Sequence, residues 1–185
     1  MIDRKKFFDG VRNQPFDKKL TQGQVSGMTV ILDEWDRRKL TDLRWLGYGL
    51  GTTKWETDHT MQPIAEGGGL KYLKSKKYYP WIGRGFVQLT WERNYRTMTK
   101  RLQAAGFNVD LIKNPELAMR PDVAAFVMFD GMINGVFTGK KLADYFNATK
   151  TDFVNARRII NGTDRAQEIA AISKAFYADL VIASA

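Results

Sequence analysis

Thr21-Gln22-Gly23-Gln24, followed by Val25, Met28, Leu32 and Trp35, is the stretch on which the fold class turns. A threonine with glutamine three residues on fits a capping box, in which each side chain satisfies the other residue's free backbone N–H. The apolar residues behind it recur at helical rather than strand spacing, which predicts an amphipathic helix to about Arg38. A second helix is expected from Thr41, carrying Leu43, Leu46 and Leu50 with Glu56 near its end. Gly47 and Gly51 lie four apart inside it. An interior glycine costs a helix about 1 kcal/mol against alanine, so their presence implies close backbone packing on another element.

Working outward, residues 57–84 break the pattern with Pro63, Gly67-Gly68-Gly69, the basic Lys71, Lys74, Lys76 and Lys77, and then Tyr78-Tyr79-Pro80-Trp81. This predicts an irregular stretch with a short hairpin, and a long insert of that kind in a compact domain is usually functional. Helical spacing returns with Tyr95, Met98, Leu102 and Ala105 and closes at Gly106, while Pro115 and Pro121 stand where helices open. Further helices are expected over 121–133, 138–146 and 151–160, and a last long one puts Ile169, Ile172, Phe176 and Leu180 on one face. With no repeat, low-complexity tract or linker, the chain reads as one mainly α domain over 1–185. Residues 1–20 form a helical lead-in to two lobes of helices around an irregular middle.

Composition narrows the chemistry. With 185 residues, 44% hydrophobic and 12% aromatic, the chain is globular rather than disordered or collagen-like. Its 29 basic against 20 acidic residues, a net charge of +9, attract polyanions, and nucleic acid, anionic lipid and bacterial wall all fit that description. The absence of cysteine excludes a disulfide framework, a cysteine-ligated zinc and a cysteine nucleophile, and one histidine makes no metal cluster. No metal or cofactor is expected, and the chemistry falls to carboxylates. The start, Met1-Ile2-Asp3-Arg4-Lys5-Lys6-Phe7-Phe8, develops no apolar signal core, and no run of ~18 apolar residues follows. The expectation is a soluble chain made in the cytoplasm, without membrane insertion.

Glu56, at a helix end, and Glu66, behind a proline-bent loop, are ten residues apart, so the chain can fold one to face the other across a groove. Two such carboxylates suit glycoside hydrolysis, where one protonates the leaving oxygen and the other activates water. Spacing alone favours two solvated surface glutamates. Trp55, Met61, Pro63 and Ile64 supply apolar neighbours that would desolvate a carboxyl packed among them. In Gly83-Arg84-Gly85-Phe86-Val87-Gln88-Leu89-Thr90-Trp91-Glu92-Arg93-Asn94-Tyr95, strand alternation puts Gln88 and Thr90 on one side. Thr90 then caps the helix that holds Asn94 one turn in, so three uncharged polar groups converge as needed to hold sugar hydroxyls or a water.

The segment Lys54-Trp55-Glu56-Thr57-Asp58-His59-Thr60-Met61-Gln62-Pro63-Ile64-Ala65-Glu66 and the segment Ile82 through Tyr95 together resemble the glycoside hydrolase family 19 catalytic domain in the short form used by phage endolysins. Phe137-Thr138-Gly139-Lys140-Lys141-Leu142 and Ala156 through Ala166 extend the resemblance, which runs from about Leu20 onward. It implies a lysozyme-like, two-lobed helical fold with a glycan groove between the lobes, a short hairpin beside that groove, and an inverting single-displacement mechanism. Glu56 would be the general acid, Glu66 the general base, and Thr90 would help hold the attacking water. Gln88, Asn94 and Asn161 would line the sugar subsites, with Tyr95 and Trp81 counted beside them as substrate-binding candidates. Trp55 stands where many members carry histidine, and the loop between the glutamates is much shorter than in plant chitinases.

The function so implied is an endolysin that hydrolyses peptidoglycan glycan strands to lyse a bacterial host, as a monomer that acts on the periplasmic wall once the inner membrane is permeable. Chitin is the alternative substrate, and a basic protein that only binds wall polymer or nucleic acid is the alternative class; the leading reading has no nucleic-acid partner and no separate wall-binding domain. His59 reads either as an acid near neutral pH or as an exposed loop residue. The lysines from Lys71 to Lys77 with Tyr72, Tyr78, Tyr79 and Trp81 read as a grip for glycan, as a grip for single-stranded nucleic acid, or as solvated charges over an aromatic wall. Arg157 and Arg158 are expected to pair with carboxylates in the core or groove wall.

Overall fold

Asp3 accepts a hydrogen bond from the Lys6 backbone N–H at 3.0 Å and so opens the first helix of the computed structural model, which describes all 185 residues. This helix, α1 (Arg4–Asn13), buries Phe7 and Val11 against the last helix, α7 (Ala166–Ser184). The capping box at Thr21 is formed in both directions and starts α2 (Gln22–Arg37), whose inner face carries Met28, Ile31, Leu32 and Trp35. The next helix, α3 (Leu43–Glu56), begins one residue later than expected. Asp42, rather than Thr41, is the cap, because its carboxylate accepts from the Arg44 N–H and also pairs with the Arg44 guanidinium.

The glycine pair works as its position implies. A Cβ on Gly51 would lie 2.8 Å from the Ser173 Cα and one on Gly47 would lie 2.9 Å from the Tyr177 Cβ, so hydrogen at these positions lets α3 cross α7 backbone to backbone. Glu56, the last residue of α3, is thereby fixed against the core.

The irregular middle holds a two-stranded antiparallel pair, β1 (Ile64–Ala65) and β2 (Arg84–Gly85), in the register Ile64 to Gly85 and Ala65 to Arg84. Between them lies a short helix the sequence reading did not expect, α4 (Leu70–Lys74). Helix α5 (Glu92–Ala104) ends at Ala105 with Gly106 at φ +90°, as its glycine predicts, but Thr90 is not its cap. The Thr90 hydroxyl donates instead to the Gln88 carbonyl, and Trp91 precedes the helix at φ 76°.

Pro115 opens a 3-10 turn (Pro115–Met119), and Pro121 opens α6 (Pro121–Asn134), which ends at a left-handed Gly135. Two expected helices are not α-helices. Over 138–146 there is only a 3-10 turn, Leu142–Asp144, and over 151–160 another, Asn155–Ile159. Side-chain bonds to the backbone hold these turns: Thr138 donates to the Arg158 and Ile159 carbonyls, Asn147 accepts from the Thr149 N–H, and Asp152 accepts from the Asn155 N–H.

The architecture is mainly helical, with two hydrophobic clusters sharing α6. Ala124, Ala125, Met128, Phe129 and Met132 join α1, α2, α3 and α7 in the larger cluster. Val123, Phe126 and Val127 join α5 residues Tyr95, Met98 and Leu102 with Leu89, Val109 and Leu111 in the smaller one. A helix buried on all sides is apolar all round, and α6 is so from Val123 to Ile133, apart from Asp130, which is neutralised by Arg101 and Arg38. No helix is long and apolar enough to cross a membrane.

Candidate active site

The loop after α3 determines where the second glutamate goes. Thr57 donates its hydroxyl to the Thr53 carbonyl and accepts from the Met61 N–H, while Asp58, His59 and Met61 all take left-handed backbone angles. These angles turn the chain sharply back, and two bonds from glutamines hold the turn to α2: Gln24 Nε2 donates to the His59 carbonyl and Gln62 Nε2 to the Gly23 carbonyl. Behind this turn β1 runs along β2, and Glu66 follows it directly, its N–H bonded to the Gly83 carbonyl at 2.7 Å.

Glu56 and Glu66 therefore line one groove, together with Trp55, His59, Ile64 and Gln88. Glu56 Oε1 accepts from Arg157 Nη1 at 2.5 Å, and Arg157, almost wholly buried, also donates from Nε to the Asp164 carbonyl. Glu66 is held differently. Its Oε1 accepts from the Tyr78 hydroxyl at 2.8 Å and its Oε2 from the Gly83 N–H at 3.1 Å. Burial and the neighbouring Glu66 charge push the Tyr78 phenol up to about 12, so it stays a donor to that carboxylate throughout the neutral range.

On its other side Glu56 borders a cavity of about 440 Å³ lined also by Gln88, Thr90, Trp91, Asn94, Thr138 and Asn161. Of the expected site residues, Glu56, Glu66, Gln88, Thr90, Asn94 and Asn161 are thus brought to two adjoining depressions that share Glu56 and Gln88. Gln88 reaches this place through a left-handed backbone (φ 54°) and donates from Nε2 to the Ile64 carbonyl, tying the 83–91 turn to β1. Gly83 makes room for it: a Cβ there would lie 2.7 Å from Gln88 Oε1. With its hydrogen given to the Gln88 carbonyl, Thr90 offers the cavity an acceptor oxygen. Asn94 donates to the Thr90 carbonyl and leaves Oδ1 buried without a partner.

Tyr95 is corrected. It is fully buried, its hydroxyl donating to the Ile82 carbonyl and accepting from Arg84, so it supports the wall of the site and cannot touch a ligand. Trp81 lines a neighbouring cavity rather than the one that holds Glu56. His59 is exposed at the groove, with Nδ1 2.8 Å from the ammonium of Lys54; burial and that cation hold the imidazole below its usual range, which favours its neutral form. Lys54 itself is buried, which lowers its own basicity, and its ammonium lies over the Phe16 ring.

Sequence reasoning expected Arg157 on a carboxylate but did not identify Glu56, since 101 residues separate them and no local spacing signals the pair. Arg158 forms no ion pair and is exposed. Tyr78, read only as a stacking residue, is the side-chain partner of Glu66. No three histidine or acidic side chains gather as a metal site. Chemically, the arrangement offers two carboxylates with unlike partners in one groove, flanked by uncharged hydrogen-bonding groups and an aromatic wall. No protein-family model matches the chain, and no curated protein matches it.

Proposed function

We propose that this chain is a glycoside hydrolase that cleaves the glycan strand of bacterial peptidoglycan, on a two-lobed, lysozyme-like arrangement of its two helical clusters. The observation that carries the reading is the shared groove of Glu56 and Glu66, each with a different hydrogen-bond partner. To act as the acid, the Glu56 carboxylate takes up a proton on Oε2 while Oε1 keeps its bond to Arg157. That proton passes to the glycosidic oxygen as the C–O bond breaks, and the guanidinium then faces the carboxylate left behind, an interaction that strengthens as charge develops. Glu66, ionised and oriented by Tyr78 and the Gly83 N–H, takes a proton from the water that attacks the anomeric carbon from the opposite face. Thr90 supplies an acceptor for the second hydrogen of such a water, and Gln88 and Asn161 offer amides to sugar hydroxyls and N-acetyl groups, with the buried Asn94 amide holding the Thr90 carbonyl behind them. In this reading the chain acts as a monomer, as an endolysin, on the wall that lies beyond the inner membrane.

The test is mass analysis of digested peptidoglycan after borohydride reduction. New reducing ends at N-acetylmuramic acid are expected, and Glu56→Gln abolishes their release. Anhydro-sugar ends would indicate a lytic transglycosylase and remove the water-activating role of Glu66, while new free amino groups would indicate amide cleavage. Turnover of chitin with none of peptidoglycan would move the substrate to neutral N-acetylglucosamine polymers.

A further inference from the structure

Beside the cavity that holds Glu56 lies a second one, also of about 440 Å³, and the two share Tyr78, Trp91, Asn94 and Phe137 as a common wall. The second cavity has a different chemical character. Lys77 and Arg93 stand at its edge, both exposed, and neither has a carboxylate within the 4.0 Å of an ion pair. The one acid lining it, Glu92, is already paired with Arg96. Trp91 and Trp81 give it aromatic surface, Trp91 being 51% exposed. Two polar atoms there are buried and unbonded: the Trp81 indole N–H, a donor, and Asn94 Oδ1, an acceptor on a side chain more than nine-tenths buried. Such atoms are costly to leave unpaired and mark places where a ligand or water completes the bonding.

Resting on the hydrolase reading above, we propose that this cavity is a subsite for a hexosamine that carries a carboxylate, the sugar stacking on Trp91 and the carboxylate meeting Lys77 and Arg93. A neutral hexosamine polymer uses the aromatic face but gains nothing from the two cations. The subsite thus separates an acidic wall glycan from chitin. The carboxylate has two sources in such a glycan, the lactyl group of muramic acid when it is free and the attached peptide when it is not, and both place an anion at the edge of the sugar chain.

The intact chain carrying Glu56→Gln is titrated calorimetrically with three tetrasaccharides: alternating N-acetylglucosamine and muramic acid with free lactyl groups, the same with its peptides, and N-acetylglucosamine alone. Glu66→Gln serves as a second inert background should Glu56→Gln fail to fold. An exposed cation meeting an anion contributes roughly three- to fivefold, so the acidic sugars are expected to bind about tenfold tighter than the neutral one at low salt. That preference falls severalfold in Lys77→Gln/Arg93→Gln and in half-molar salt. Preference for the first acidic sugar assigns the lactyl carboxylate, and preference for the second alone assigns the peptide. Equal affinity for acidic and neutral sugars, a preference that survives the double substitution, or tighter binding of single-stranded DNA than of either acidic sugar overturns the subsite. The hydrolase reading is decided separately, by turnover in the unsubstituted chain. Turnover without preference refutes only the subsite, and preference without turnover refutes only the hydrolysis.

Discussion

The Glu56–Arg157 pair joins the stability of the domain to its chemistry, and a double-mutant cycle separates the two. The Arg157 side chain is 4% exposed and that of Glu56 16%, with N and O 2.5 Å apart. Breaking a buried ion pair by removing one partner costs ~3–5 kcal/mol, because the survivor is left desolvated and unpaired. Glu56 borders the groove and keeps contact with water, so the cost falls to or just below the bottom of that range, about 2–3 kcal/mol for Arg157→Gln. In a domain of this size 1 kcal/mol moves the melting temperature by roughly 2–4 °C, which predicts a fall of about 5–10 °C.

Glu56→Gln keeps an acceptor for the guanidinium and loses only the charge, so its expected cost is smaller, ~1–2 kcal/mol. The double variant leaves neither an unpaired anion nor an unpaired cation, and the two single effects should overlap by ~1.5–3 kcal/mol in urea unfolding at constant m-value. Activity reads the other half. Removing a donor that stabilises developing negative charge costs roughly 10²–10³ in rate, so Arg157→Gln should clear permeabilised cells at least a hundredfold more slowly, while Glu56→Gln shows no turnover. Single effects additive within ~0.5 kcal/mol, or an Arg157→Gln chain that lyses at the wild-type rate, would refute the argument.

Three further outcomes follow from other parts of the molecule. Gly51→Ala should destabilise by ~1–3 kcal/mol despite its better helix propensity, because the new methyl meets the Ser173 backbone; Gly23→Ala, whose Cβ would find its nearest neighbours at 3.8 Å, should instead stabilise by about 0.5–1 kcal/mol, with both read by urea unfolding. Asp179 lies half-buried and burial raises its carboxyl above the ordinary range, so the folded state holds this proton more tightly than the unfolded state. Its favourable contribution is complete below the unfolded-state pKa and is lost as pH rises through the folded value, so Asp179→Asn should raise the melting temperature at pH 7 and give no gain near pH 3. The net charge of +9 should make activity on whole walls decline well before half-molar salt, where the Debye length has fallen from its ~10 Å at 0.1 M, while turnover of neutral chitin oligomers stays nearly flat; equal declines on both would remove charge from the mechanism.

How much of the fold could be read in advance depended on whether its determinants were local. The Thr21 box, Pro121 at the start of α6 and Gly106 after α5 are contacts within four residues, and each formed as its residue type required. Gly47 and Gly51 carried a nonlocal message because glycine in a helix has a cost that only close packing explains, although their partner, α7, was not legible from them. The two failed helices, over 138–146 and 151–160, have acceptable apolar spacing. In their place stand 3-10 turns, tied down by Thr138, Asn147 and Asp152, whose side chains bond to backbone groups across and beside those turns.

The site divides along the same line, with one complication. Glu56 and Glu66 could be singled out because a helix end and a proline-bent loop are visible in sequence, and the turn that faces them inward depends on three left-handed residues that are not glycine: Asp58, His59 and Met61. Each is a conformation the chain adopts only where surrounding bonds over-determine it, here the Thr57 hydroxyl and the amides of Gln24 and Gln62. The same holds for Gln88 and Trp91, whose positive φ values set the groove wall and overturned the expected strand alternation and the Thr90 cap. Period-two reasoning presumes extended backbone, and it fails where strain redirects a side chain. Gln88, Thr90 and Asn94 nonetheless reach one cavity because two left-handed residues and an Asn94-to-Thr90 bond do the work that a strand and a cap were expected to do.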